Sequence, residues 1–230
     1  MIRIAVTSFW LSPAVHASDT WTEIAPGVDH LHRTTSGDSP QDIHVVRVDL
    51  TQEHISIQAS ADVSGSERGV TTSTFADSIG ATVAINADWS GAGQDSPLSL
   101  AVANGVLWNE HYNDAGVGSV WGTFACDAFN RCESAAIEPL STAWWFTSPG
   151  PLILPYRYFN AVGANGVLLI DDGERQSGCF DGTGCEGYTC QHPRTAICTT
   201  EDQSELYMMV IDGRSSSASG MTCGEVRDLA

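Results

Sequence analysis

Two arginines and a carboxylate mark one end of a pair of neighbouring apolar runs. The run RTAIC opens with Arg194, and the run LYMMVI ends in Asp212-Gly213-Arg214. A guanidinium presents a planar fork of N–H donors that matches two oxygens of a phosphate or carboxylate at once. A carboxylate beside such forks either orients them or takes and returns a proton. A third polar strand end, Asn86 followed by Asp88, comes directly after the apolar run TVAI. Gly213 and Gly220 lack a Cβ and allow the backbone to approach a ligand closely. Together these residues describe an anion site, with the forks of Arg194 and Arg214 suited to phosphate oxygens and Asp212 as the adjacent carboxylate. The same types also describe an ion pair that only pins two strand ends.

For these groups to meet, the strand from Arg194 must run antiparallel to the one ending at Asp212. RTAICTTEDQSELYMMVIDGR reads as such a pair around an acidic turn, and Thr222-Cys223-Gly224-Glu225 is a capping box that starts a helix. Upstream, DIHVVRVDL and HISIQASA read as strands joined in a hairpin by TQE. Asn104-Gly105, inside LAVANGVLW, is a strong hairpin signal. Ser73 is placed to cap a short helix that Gly80 ends, and Ala81 to Ile85 then read as a buried strand with Asn86 at its exit. AVGANGVLLIDDG is a further strand region entering a turn. Neither repeats nor an interdomain linker interrupt the pattern. The expected fold is α+β: a single domain with a mostly β-sheet core and a few helices.

At 230 residues and 42% apolar content the chain is long enough to bury a sizeable core. Its 28 acidic against 10 basic residues give a net charge of -18, and it has no lysine. Such a surface repels phosphate backbones and excludes nucleic acid as a partner. MIRIAVTSFWLSPAVHA has the charged start, short apolar middle and small-residue end of a secretory signal. The expected division is a signal peptide over 1–17 and a domain over 18–230, secreted or held in the periplasm or cell envelope. No other stretch is long and apolar enough for a membrane span. The seven cysteines fit export. Cys126 and Cys132 flank a tight loop between two strands and are expected to form a disulfide. The cluster CFDGTGCEGYTC lacks the paired spacing of a zinc site, so no metal is expected.

The ordered set VAINADW, AVGANGVLLIDDG, HPRTAIC, LYMMVIDGR and SGMTCGEVRDLA resembles the phosphodiester glycosidase family from about Trp21 onwards, most specifically over Pro193 to Ala230. Position by position, the resemblance implies site roles for Asn86 and Asp88, for Arg194, and for Asp212, Gly213 and Arg214, with Gly220 and Met221 in the turn before the helix. It implies hydrolysis of a sugar-1-phosphodiester, of the alpha-N-acetylglucosamine-1-phosphodiester type, without a cofactor and with Asp88 and Asp212 as the proton-handling pair. The partner is then a glycan or sugar-phosphate substrate. A carbohydrate or cell-envelope binding module that keeps the fold is the alternative, with Trp144, Trp145 and Tyr158 available for stacking on sugar or, more simply, for core packing. Three departures stand out. Cys198 and Cys223 replace the family's glycine after RTA-[IV] and leucine after GMT, and would tie strand to helix if joined. Trp89-Ser90 replaces an aromatic pair. The family continues past the helix into an Asp-Gly-Gly-Gly-Ser turn, whereas this chain stops at Ala230, so the C-terminal part of the family domain is expected to be missing.

Overall fold

The structure, a computed structural model, describes residues 20–60, 70–87, 100–109, 121–137, 158–163, 169–171, 174–175 and 190–230. The signal peptide expected over 1–17, and Asp88, Trp89, Trp144, Trp145, Cys179 and Cys185, lie outside the described residues. In chain order the elements are β1 (Trp21–Ala25), β2 (Val28–Thr34), β3 (Asp42–Asp49), α1 (Thr72–Ile79), β4 (Ala101–Ala103), β5 (Val106–Asn109), β6 (Trp121–Cys126) and β7 (Cys132–Ile137). There follow β8 (Asn160–Gly163), β9 (Ile170–Asp171), β10 (Glu174–Arg175), β11 (Arg194–Thr199), β12 (Glu205–Ile211) and α2 (Cys223–Leu229).

Two five-stranded antiparallel sheets carry the fold, one ordered β1-β2-β3-β12-β11 and the other β5-β4-β8-β6-β7. Alternation along the strands explains how the layers meet. Val28, Val48 and Leu206 face the second sheet and bury against Phe124, Cys126 and Cys132. Leu31, Ile43, Val45, Met209 and Ile211 take the opposite face and bury against Val226 of α2. The first sheet is thus covered on both sides, which is why VVRV and LYMMVI read as nearly continuous apolar runs. Complete enclosure of Leu206 and Ile211 contributes about 1.5–3 kcal/mol each. No described helix is long and apolar enough to cross a membrane.

Several local expectations hold. Asn104 and Gly105 both adopt positive φ between β4 and β5, as a two-residue hairpin turn needs. Cys126 and Cys132 stand opposite each other in the β6–β7 ladder and are disulfide-bonded. Closing so short a loop stabilises the hairpin by about 2 kcal/mol. At α2 the Thr222 hydroxyl accepts from the Glu225 N–H at 3.2 Å, while the Glu225 carboxylate accepts from the Thr222 N–H at 2.7 Å. Cys190 is also disulfide-bonded. Cys198 and Cys223 are free thiols, and burial pushes the Cys198 thiol up to about 11.

Other expectations are corrected. α1 is capped by Thr71, whose side chain accepts from the Thr74 N–H, and not by Ser73; Gly80 ends it in the left-handed conformation, as anticipated. Ala81 to Ile85 form no strand. The chain from His54 to Ser60 is not the hairpin partner of β3, because β3 is already paired with β2 and β12. It is extended, with Ile55, Ile57 and Ala59 turned inward, but its ladder is built from side chains. Asn130 donates to the Ile55 carbonyl at 2.6 Å and accepts from the Ile57 N–H at 3.3 Å. Asn160 repeats the pattern one step on, donating to the Ile57 carbonyl at 2.8 Å and accepting from the Ala59 N–H at 3.2 Å. Two carboxamides therefore stand where a neighbouring strand's peptide groups would be.

The acidic turn between β11 and β12 is organised by Asp202, whose carboxylate accepts from the Thr200 hydroxyl at 2.7 Å and from the Ser204 hydroxyl and N–H at 2.7 and 3.1 Å. Those donors hold its carboxyl at about 2, well below the usual carboxylate range. A carboxyl depressed on folding stabilises the native state above its unfolded value and loses that contribution as pH falls through its folded value. Asp202→Asn is therefore expected to melt below the wild type by a constant interval near neutral pH. The interval should shrink as pH is lowered from about 4 to about 2. Thermal midpoints across that range check it.

Candidate active site

The strand pairing brings the sequence motifs to one end of the first sheet. Arg194 stands opposite Ile211 in the β11–β12 ladder, and the Asp212 N–H donates to the Asp42 carbonyl at 2.9 Å, extending the β12–β3 pairing by one residue. The antiparallel arrangement required by RTAIC and LYMMVIDGR is present, and it sets Arg194, Asp212 and Arg214 within one corner.

Strand alternation then divides the corner in two. Arg194, level with Ile211, lies on the α2 side of the sheet. Its Nε donates to the Met221 carbonyl and its Nη2 to the Cys190 carbonyl, each at 2.9 Å. The guanidinium thus braces the turn before α2 against the segment leading into β11. Thr195 lies on the other face, where its hydroxyl donates to Asn86 Oδ1 at 2.7 Å. This bond ties the exit of the TVAI run to β11, as the pattern of polar strand ends suggests. Asp212 follows Ile211 and by alternation turns towards the Asn86 side; it is exposed, and no ion pair joins it to Arg194 among the described residues. The pinning ion pair of the simpler reading is therefore replaced by an arginine holding main chain. Arg214 is exposed and adopts φ +61° in the turn that follows.

Both site glycines are explained by backbone meeting backbone. A Cβ on Gly213 would stand 2.7 Å from the Pro193 nitrogen and 3.0 Å from the Gly220 Cα. Gly220 has φ +88°, and a Cβ there would overlap the carbonyl group of His192. The close packing is locked by an antiparallel bridge, with the His192 N–H donating to Met221 at 3.2 Å and the Met221 N–H donating back at 3.0 Å. His192 itself was not singled out by the sequence. Its Nδ1 is buried at this junction without a hydrogen-bond partner among the described residues. Tyr158 packs against Leu100, Val102, Ala125 and Ala161, and its hydroxyl donates to Glu133 at 3.1 Å, so it serves the core.

A sequence model of the phosphodiester glycosidase family matches residues 79–230. The chain belongs to the phosphodiester glycosidase family. No curated protein sequence matches it. Among solved structures, a hypothetical protein from Synechocystis superposes with a TM-score of 0.57 at 14% identity, covering 92% of this chain and 55% of that one. The catalytic domain of zebrafish N-acetylglucosamine-1-phosphodiester alpha-N-acetylglucosaminidase, auto-inhibited by its pro-peptide, superposes with a TM-score of 0.55 at 13% identity, covering 89% of this chain and 67% of that one. The chain thus spans little more than half the length of the Synechocystis protein. At such identities the likeness is one of fold. The family match starts after β1, β2 and β3, yet these strands complete the sheet that holds the phosphodiester glycosidase motifs.

Proposed function

We propose that this phosphodiester glycosidase-family domain hydrolyses sugar-1-phosphodiesters of the alpha-N-acetylglucosamine type outside the cytoplasm. The observation that carries the reading is the convergence of three family motifs on one end of the first sheet, with Asn86 bonded to Thr195 beside Arg194 and Asp212 one residue past the paired Ile211. In this reading the charges of Arg194 and Arg214 offset the phosphate, and Asp212 with Asp88 handles the proton transferred at the anomeric bond. Asn86 contacts the substrate, and Gly213 and Gly220 allow the close backbone packing on Pro193 and His192 that sets the turn carrying Asp212 and Arg214. A carbohydrate-binding module without turnover is the second reading, favoured by the engagement of Arg194 with the carbonyls of Met221 and Cys190. Release of N-acetylglucosamine from an aryl or uridine diphosphate-linked substrate separates the two; the module binds without releasing it.

The arginine gives a sharper test. Arg194→Lys keeps the charge but cannot span the Met221 and Cys190 carbonyls as the guanidinium does, and is expected to weaken binding of N-acetylglucosamine-1-phosphate by about tenfold or more. Arg194→Met also leaves two carbonyls without their donor and should lower stability by about 3 kcal/mol. Affinity measured well below each thermal midpoint decides the matter. Variants that melt early yet bind the sugar phosphate as the wild type does would remove Arg194 from the phosphate site. Export makes its own prediction: the mature protein recovered outside the cytoplasm begins at Ser18 by mass spectrometry, and exported material still carrying Met1 contradicts it.

A further inference from the structure

β2 carries His30-Leu31-His32 and β3 carries Asp42-Ile43-His44. His32 pairs directly with His44, and alternation places His30, His32, Asp42 and His44 on the face that also carries Val28, Val46 and Val48. The His32 and His44 rings are stacked with centroids 4.3 Å apart, and the His30 ring lies parallel to that of His44 with centroids 5.3 Å apart. Asp42 Oδ1 lies 2.7 Å from His32 Nε2 and 3.6 Å from His44 Nε2. One ligand atom from each of His32, Asp42 and His44 falls within 4.8 Å of the others.

We propose that His32, Asp42 and His44 bind one borderline divalent transition-metal ion of the Zn2+ type, through both imidazole Nε2 atoms and a carboxylate oxygen. Two neutral nitrogens with one carboxylate suit Zn2+ and its first-row neighbours, while the hard ions Mg2+ and Ca2+ prefer oxygen sets. Ligand atoms about 2.0–2.1 Å from a tetrahedral ion stand roughly 3.4 Å apart. The His44–Asp42 spacing of 3.6 Å already fits, and the 2.7 Å His32–Asp42 contact has only to open as the stacked rings turn towards a common centre. His44 also has the outer partner that a ligating imidazole needs. Its Nδ1 lies 3.0 Å from His30 Nε2, and a proton on that Nδ1 leaves Nε2 as the lone pair facing Asp42. The Asp212 N–H, donated to the Asp42 carbonyl at 2.9 Å, fixes the backbone of the carboxylate ligand. Side-chain exposures of 49% at His32 and 40% at His44 give an ion direct access. The expectation of no metal weighed only the cysteine spacings, and the new site rests on neither them nor the glycosidase reading.

Calorimetric titration of tag-free protein with ZnCl2 at neutral pH is expected to give one bound equivalent, unaffected by excess Mg2+, and Co2+ in its place should develop visible ligand-field bands. His30→Gln should weaken binding by about tenfold by removing the outer partner. His32→Gln, and His32→Gln with His44→Gln, should abolish the stoichiometric step. His54→Gln, whose ring is bonded to the Pro26 carbonyl outside the cluster, should leave it intact. Circular dichroism reports folding, and if the double variant is unfolded the single exchange at the half-exposed His32 decides. No stoichiometric uptake by the wild type, or uptake that survives His32→Gln in folded protein, overturns the proposal.

Discussion

Gly220→Ala is expected to destabilise the protein by about 4 kcal/mol or more, because a Cβ there meets closer backbone than one at Gly213 does. The new Cβ would overlap the His192 carbonyl group and stand 2.9 Å from the His192 nitrogen. These atoms cannot retreat cheaply, because His192 is tied to Met221 by paired main-chain bonds and Met221 is held by Arg194. The φ of +88° adds the ordinary penalty of a side chain in that region. Gly80→Ala isolates that second component. Gly80 has φ +66° at the end of α1, and nothing lies within 4 Å of a Cβ there, so its cost should be about 1 kcal/mol. Urea unfolding of the two variants side by side tests the difference. Equal costs would mean that the junction relaxes and that the contact with His192 is not a constraint.

Asn160→Ala is expected to cost about 3–4 kcal/mol through loss of buried polar pairing and not through loss of volume. Asn160 is buried, accepts from the N–H groups of Ala59 and Asn104 at 3.2 and 3.1 Å, and donates to the Ile57 carbonyl at 2.8 Å. Truncation leaves those main-chain groups without partners and frees the extended segment around Ile57. Asn160→Asp makes the cause visible. The carboxylate retains both acceptor roles but sets an oxygen against the Ile57 carbonyl where a donor stood. Protonation restores the donor, so the deficit of Asn160→Asp should narrow on acidification while that of Asn160→Ala does not. A deficit independent of pH in both variants would contradict the assignment.

What could be read from the sequence was local. The β11–β12 pair, the disulfide-closed β6–β7 hairpin, the Asn104-Gly105 turn and the Thr222 capping box each carry their signal within a few residues. The hairpin expected between DIHVVRVDL and HISIQASA failed because β3 takes β12, far away in the chain, as its neighbour. The alternation in His54 to Ser60 correctly reported an extended, half-buried segment, but nothing nearby announces that Asn130 and Asn160 will satisfy its backbone. In the candidate site, the meeting of the strand ends was legible and the direction of the side chains was not. Only the register of Arg194 with Ile211 shows that the guanidinium lies on the helix side while Thr195 reaches Asn86 on the other. The His-x-His and Asp-x-His triplets had the period of a strand face, but their convergence required knowing that β2 and β3 are neighbours.

The strand order of the first sheet also sets a timetable for biosynthesis. β3 and β12 are central neighbours, yet roughly 150 residues separate them along the chain. At about 5–20 residues per second, the ribosome needs roughly 8–30 s to supply β12 after β3 has emerged. For that interval β1, β2 and β3 can form only a three-stranded meander, whose edge along Val45, Val46 and Val48 displays unpaired amides and apolar side chains on both faces. Such an edge recruits other strands, and a chain detained there is open to misassembly until its own distant partner arrives. Holding β3 apart during synthesis, by a chaperone or by transport in an unfolded state, therefore protects the yield of folded protein.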